Sequence, residues 1–442
     1  MKNSGVEWIG EIPEDWEVKP LTSLFSFGKG LPITKEDLKE NGIPVLSYGQ
    51  IHSKTNTGTS IQNDLLRYVD ESYLVSNPQS LVQRGDFIFA DTSEDLDGCG
   101  NCAYVNFDSK LFAGYHTVIL KSKDCSNNQY LAYLFKTDEW RKQIRAGLVE
   151  VKLYSISRKV LKKASVILPP KSTQQRIASY LDKKCSKIEE TIQNQQQVIE
   201  KLKAYKQSLI TEAVTGKIKI QNGKVCGKYE SYKDSGVEWI GKIPSEWTKQ
   251  KLKFASQIMR GLFSHRPRND PDYYDGVHPF IQTGEVARAV KYITIYSQTL
   301  NELGFSVSRE FPAGTVLLTI AANVGDVAIL DFNACFPDSV IGFYPKDNVS
   351  KVFLYYLLKS MKEQFMKNAI ISTQMNLNIN IVKEEVIPLP SLKEQEEIVC
   401  FLENKSDIID TAIEQKQKLI EKLTEYKKSL IYECVTGKKE VS

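Results

Sequence analysis

The chain has 442 residues, 41% hydrophobic and 25% charged, with a formal net charge of +4. That length supports two or three domains, each burying its own core, and the composition is that of an ordinary globular protein. No apolar run approaches the roughly 18 residues of a membrane span, and a charge this mild does not by itself demand a nucleic-acid partner.

The start of the chain carries no secretory apolar segment, so a cytoplasmic protein is expected. The eight cysteines agree: six are scattered singly, and only Cys99 and Cys102 form a CxxC. No second pair completes the four ligands of a zinc site, so no metal is expected.

In chain order, the first signal is "SGVEWIGEIPEDW" from Ser4 to Trp16. It returns as "SGVEWIGKIPSEW" from Ser235 to Trp247, with ten of thirteen positions identical. Between the copies come "NGIPVLSYGQI" (41–51), the β-type run "RGDFIFA" (84–90), "GNCAYV" (100–105) and the helical "QYLAYLFKTDEW" (129–140). The second half repeats this order with "DGVHPFIQTGEV" (275–286), "AGTVLLT" (313–319), "GDVAIL" (325–330) and "VFLYYLLKSMKE" (352–363). A longer block, Gln174 to Lys217, recurs without a gap at Gln395 to Lys438, an offset of 221. The chain is therefore a duplication. Each half is a mixed α/β globule of about 160 residues followed by a long helix, an α+β class of fold.

Pro169 and Pro170, with Ser172 or Thr173 as cap, start the first long helix and Gly216 ends it; Pro390 and Gly437 bracket the second. Neither interior contains Gly or Pro. Some 42 residues make a rod of about 60 Å. Leu181, Ile188, Gln195, Leu202 and Leu209 keep heptad spacing, as do Leu402, Ile409, Lys416, Leu423 and Leu430. That seam predicts a coiled coil. A second globule inserted between the helices brings the end of one to the start of the other, so the pair is expected to be antiparallel. Leu181 then faces Leu430, Ile188 faces Leu423, Gln195 faces Lys416, Leu202 faces Ile409, and Leu209 faces Leu402. The expected segments are 1–168 and 232–389 as globular heads, 169–217 and 390–442 as helices, and 218–231 as linker. The expected molecule has a head at either end of a rod and an approximate two-fold axis.

Two similar heads on a fixed spacer suit a linear repeating target such as duplex DNA. Basic runs occur in both halves: Lys249 to Arg268 holds six basic residues and no acidic one, and Arg141 to Lys163 holds eight against Glu150 alone. The motifs "VEWIGEIPEDWEVKPL", "LIEKLTEYKKSLI", "VTGK" and the P-x-x-EQ-x-x-I start at Pro390 resemble the specificity subunit of type I restriction–modification systems, along the whole chain and in both copies. The first copy departs in "PPKSTQQRI", where Thr173 replaces an acidic residue, a change expected only to adjust a helix start.

The resemblance implies a non-catalytic subunit whose two target-recognition domains read the halves of a bipartite double-stranded DNA site. It implies docking of two methyltransferase subunits on the helices and of restriction/translocase subunits for cleavage. Methyl donor, ATP and magnesium would then reside on those partners, leaving no cofactor here. The chain has no P-loop, and "DPDY" (270–273) lacks the second proline of an amino-methyltransferase motif. Four histidines in dissimilar contexts suggest no catalytic cluster.

Readout needs Arg, Lys, Asn, Gln, Ser or Thr on loops. In the first head the candidates are Lys29, Lys35, Tyr48, Gln50, His52, Lys54, Arg145 and Arg158. In the second they are Arg260, His265, Arg266, Arg268, Gln282, Arg288, Thr373, Gln374 and Asn376. Trp8, Trp16, Trp239 and Trp247 are expected to pack where head meets helix. Two other readings fit the same sequence: a DNA-binding protein acting alone, and a coiled-coil scaffold holding two protein ligands apart.

Overall fold

The computed structural model describes residues 1–124, 128–147, 154–371 and 375–441. The chain divides into two compact units, Met1–Gln195 with Gln417–Ser442, and Gln196–Lys416. Each holds one head and a stretch of both long helices.

In the first unit, strands Cys102–Tyr104, Phe87–Ala90, Thr117–Ser122 and Phe25–Lys29 lie side by side in that order, all antiparallel. A second four-stranded sheet runs Arg67–Val69, Ile43–Leu46, Leu111–Ala113 and Leu81–Val82, with the middle pair parallel. Helices Gln129–Phe135 and Asp138–Arg145 supply the aromatic core: Phe135 packs against Trp140 with tilted rings at 4.3 Å between centroids and meets Phe87 at 4.9 Å. The second of these helices starts at Thr137, whose hydroxyl accepts from Trp140 N at 3.3 Å. Asp138 and Glu139 occupy its first turn and Lys142 and Arg145 its last, each sign at the favourable end of the helix dipole.

The second unit repeats the plan. Strands Ser256–Arg260, Val340–Pro345, Val316–Thr319 and Val327–Leu330 are antiparallel, and Tyr292–Ile293 adds a parallel edge. Helix Lys351–Ser360 is capped by Ser350 and buries Phe353 to Leu358 against this sheet. The segment 218–231, expected to be a linker, contains a hairpin of Lys219–Gln221 and Lys224–Gly227. Its turn residues Asn222 and Gly223 both have positive φ, the conformation a tight hairpin requires.

The long helices span Lys171–Val214 and Leu392–Val435. The first starts ahead of the expected cap, since Gln174 N already bonds Pro170 O at 3.0 Å. The second has a full capping box: Ser391 Oγ accepts from Glu394 N, and Glu394 Oε2 accepts from Ser391 N. Glu394 also accepts from Trp247 Nε1 at 3.2 Å and Tyr229 Oη at 3.5 Å. Thr173 at the matching position of the first copy is too short for those bonds, so the departure removes a tie to the head as well as a cap.

Within the first unit, Ile177, Leu181, Cys185 and Ile188 share one core with Leu430, Ile431, Cys434 and Val435. Leu423 is half-buried against it. Glu189 pairs with Lys427, and Lys439 lies over Tyr180, so one number falls as the other rises. The helices are antiparallel there. In the second unit, Lys206 pairs with Asp410 at 2.6 Å. There Gly216 approaches Trp247, the residue that also bonds Glu394, which gives the same polarity. The two ion pairs are copies of each other: adding 221 to 189 and 206 gives 410 and 427. Leu209 and Leu402 are buried, Ile409 is buried, and Leu202, Gln195 and Lys416 are half-buried.

Both helices end on a glycine at φ 72°, a conformation costly for other residues. Lys217 N closes the first end onto Glu212 O at 2.9 Å. A Cβ on Gly216 would lie 2.4 Å from Pro244, and one on Gly437 would lie 2.6 Å from Pro13. The repeated opening motif is therefore the seat on which a long helix ends, once in each unit. Trp16 and Trp247 are buried at these seats, while Trp8 and Trp239 are half-buried.

In a background where Cys185 and Cys434 are replaced by alanine, cysteines at 188 and 423 should join readily through a short bismaleimide. Preferential joining of 188 to 409, read by peptide mass spectrometry, contradicts the antiparallel pairing.

Candidate nucleic-acid interface

In the second head, strand Ser256–Arg260 ends at Arg260, beside the turn that carries Asp338. Arg260 Nε donates to Asp338 O, Arg268 pairs with the Asp338 carboxylate, and Arg266 reaches it at 3.6 Å. Arg309 donates to Arg260 O at 3.1 Å. Two guanidinium groups thus share the Asp338 carboxylate, with Arg260 on its backbone carbonyl and Arg309 on that of Arg260, and Arg266 and Arg268 stay half exposed. Such a cluster has the fork geometry and surplus charge that phosphate oxygens and guanine edges take.

Three of the four arginines were legible as a basic run. Arg309 was not: it stands alone in sequence and reaches the cluster because Ser308 bridges Phe263 across the fold. The remaining candidates of this head are placed differently. His265 is stacked on Tyr273 at 3.8 Å and bonded to Asp270 at 2.9 Å, which makes it a brace for the arginine loop. Gln282 caps helix Thr283–Arg288 and bonds Gln298 at 2.9 Å. Arg288 pairs with the buried Glu285 at 3.2 Å while its guanidinium stays exposed. Asn376 is exposed and pairs through its backbone with Ala321. Thr373 and Gln374 lie outside the described residues.

In the first head, Lys29 holds the place of Arg260: it pairs with Val118 where Arg260 pairs with Ile341. Lys29, Lys35, Lys54 and Arg158 are exposed. The same head holds a cavity of about 710 Å³ whose lining includes Tyr48, His52, Asn101 and His116 together with Glu94, Asp95 and Asp97. Tyr48 meets His116 edge-on at 5.3 Å and Tyr115 at 5.6 Å. His52 is fixed at both nitrogens, Nε2 by Thr92 O at 2.8 Å and Nδ1 by the Asn101 amide at 3.1 Å. It forms a wall of the cavity and has no ring nitrogen to spare. Gln50 spends its carbonyl oxygen on Ser47 N at 3.2 Å. Arg145 is drawn inward, pairing with Asp138 at 3.3 Å and donating to Asp97 O, so it ties a helix to a loop. His116 and Asn101 were missed; nothing in their sequence context marks them.

No group of three metal-capable side chains occurs among the described residues. Burial pushes the Cys102 thiol up to about 12, far from the thiolate a metal takes. Among the same residues no helix is long and apolar enough to cross a membrane.

The family model described as type I restriction modification DNA specificity domain matches residues 13–203 and again 244–424. The chain belongs to that family. A specificity subunit of this kind selects DNA and is not itself an enzyme, and here it carries two recognition domains. A putative type I restriction enzyme MjaX specificity subunit from Methanocaldococcus jannaschii is 27% identical over 412 residues, 91% of this chain and 89% of that one. The EcoKI specificity subunit of Escherichia coli is 22% identical over 432 residues, 91% and 84% of the two chains. Among solved structures, a chain from a study of assembly and conformational transition of the type I system superposes with TM-score 0.73 at 16% identity, covering 97% of this chain and 99% of its own. The HsdS subunit from Thermoanaerobacter tengcongensis gives 0.54 at 16% identity, covering 99% and 100%.

The arginine cluster of this specificity subunit depends on Asp338. Asp338→Asn keeps the shape and removes the counter-charge, so the free protein should lose about 1 kcal/mol. Added sulfate should restore it. An unchanged melting temperature in low salt contradicts that role.

Proposed function

We propose that each head reads one half of a bipartite duplex site, with the intervening bases unspecified and the helix pair setting the gap. The reading heads are 1–168 and 232–389, and the helices 169–217 and 390–442 receive two methyltransferase subunits. Restriction/translocase subunits join that assembly for cleavage, bringing ATP and magnesium, while the methyl donor rests on the methyltransferases. In the first head contacts come from Lys29, Lys35, Tyr48, Lys54 and Arg158. In the second they come from Arg260, Arg266, Arg268, Arg309 and Arg288, together with Thr373, Gln374 and Asn376.

The observation that carries this reading is the cluster of Arg260, Arg266 and Arg268 on Asp338 with Arg309 bonded to Arg260, a surplus of positive charge at the end of a strand. The antiparallel helices support it, because they carry the same ion pair in both copies and so give both heads one frame.

Methylated adenines mapped in the host genome supply the site, and a duplex bearing it should bind the complex with steep salt dependence. Arg309→Ala should reduce the slope of log affinity against log salt by about one and weaken binding across sequences. Arg268→Ala should in addition relax discrimination at one base pair of one half-site, at a cost of about 1–3 kcal/mol. Binding that ignores salt supports a protein scaffold instead. Tight specific binding without methyltransferase retention supports a reader acting alone.

A further inference from the structure

The two heads carry the same lysine in different circumstances. Lys136 in "QYLAYLFK" and Lys359 in "VFLYYLLK" hold corresponding places. Each lies beside the matching helix–helix ion pair, Lys136 near Lys427 and Glu189, Lys359 near Asp410. Burial pushes both ammonium groups down, Lys136 to about 8, with Lys427 repelling it further.

In the second head that cost is offset. Lys359 donates to Tyr355 Oη at 3.0 Å and lies over its ring, and Tyr355 Oη in turn donates to Val290 O at 2.8 Å. In the first head the place of Tyr355 is taken by Ala132. Among the described residues the Lys136 ammonium makes no hydrogen bond and no ion pair. It lines a cavity of about 590 Å³ together with Asn56, Asn101, Arg141, Lys427 and Lys428. Arg141 is occupied by Phe135 O at 2.9 Å and Lys427 by Glu189. A half-buried ammonium without a protein acceptor is held less favourably than the paired Lys359.

We infer that this cavity, in the first head alone, receives an acidic side chain of a protein that docks on the helix pair. The inference rests on the reading that the helices take up methyltransferase subunits, and it names where one of the two is anchored more firmly. The charge pattern selects a carboxylate over a nucleic-acid backbone. Asp97, Asp138 and Glu139 line the same cavity, so a run of phosphates would meet three carboxylates. A single Asp or Glu brings one negative charge to the Lys136 ammonium, and it can also accept from the remaining N–H of the Asn101 amide. The partner's two copies then see unequal surfaces, and assembly is ordered: the first head fills before the second.

The test uses the full chain and a methyltransferase subunit of the same system, titrated in a calorimeter and counted by native mass spectrometry. The wild type should take up two copies in two resolved steps. Lys136→Met should weaken the tighter step about thirtyfold or more, the effect of truncating one partner of a buried ion pair, and leave the weaker step alone. It should also raise the melting temperature of the free chain, because an unpaired, half-buried charge is gone. Lys359→Met should lower the melting temperature and leave the tighter step intact. A wild-type chain that binds no methyltransferase overturns the functional reading and this inference with it. Two copies bound with Lys136→Met indistinguishable from wild type overturns this inference alone.

Discussion

Each unit depends on one contact, a proline of the opening motif set against the glycine that ends a long helix. Pro13 meets Gly437 and Pro244 meets Gly216, with room for no side chain between them. Glycine is required twice over there, by the left-handed backbone that turns the chain off the helix and by the approach of the proline ring. The indoles of Trp16 and Trp247 cover the same spot and join it to the hydrophobic core. A helix of 44 residues with a narrow apolar seam has little to fix its end otherwise. The seat explains why sequence survived at the borders of the repeat while the heads drifted: either partner changed alone leaves the other against a clash or a void.

The second consequence is electrostatic. Lys206 and Lys427 are one residue of the repeat, and so are Glu189 and Asp410, so the antiparallel helices form the same bridge in each unit. Such partly exposed pairs contribute little stability. Their value is in register, since a slip of one heptad would place each lysine away from its acid and opposite another part of the seam.

The frame was legible in the sequence because repeated residues meet repeated partners. Heptad leucines, bracketing prolines and the two openings all describe contacts the chain makes twice. The candidate interface was legible only where chemistry and sequence neighbourhood coincide, as at Arg260, Arg266 and Arg268. Arg145 looked equally available, yet Asp138 lies two helical turns away on the same helix and takes it up. His52 looked like a reader, yet the Thr92 carbonyl and the Asn101 amide, 40 and 49 residues onward, hold both its nitrogens. Arg309 has no basic neighbours and becomes a member of the cluster through strand pairing alone. Thr173 shows the converse limit. Read as a local change at a helix start, it also deletes the acceptor that Trp247 and Tyr229 use in the other copy.

The drift of the heads follows a rule that only the paired backbones reveal. Tyr104 N bonds Gly58 O in the first head, and Ile329 N bonds Lys291 O in the second, so these edge segments correspond. The backbone bond is kept while the surface is rewritten. Thr57, Thr59 and Gln62 in one head stand where Val290, Tyr292 and Ile295 stand in the other, and Val290 and Ile295 are 77% and 79% exposed. The same holds at Lys29 and Arg260, which share a ladder position and differ in the group they present. A lysine presents a single point of charge, whereas an arginine presents a fork that fits guanine or phosphate in two bonds. Residues that carry backbone pairing and helix seats are held, and residues that project from them are free to change. Two copies of one fold can in this way come to prefer different short sequences without altering the frame that carries them.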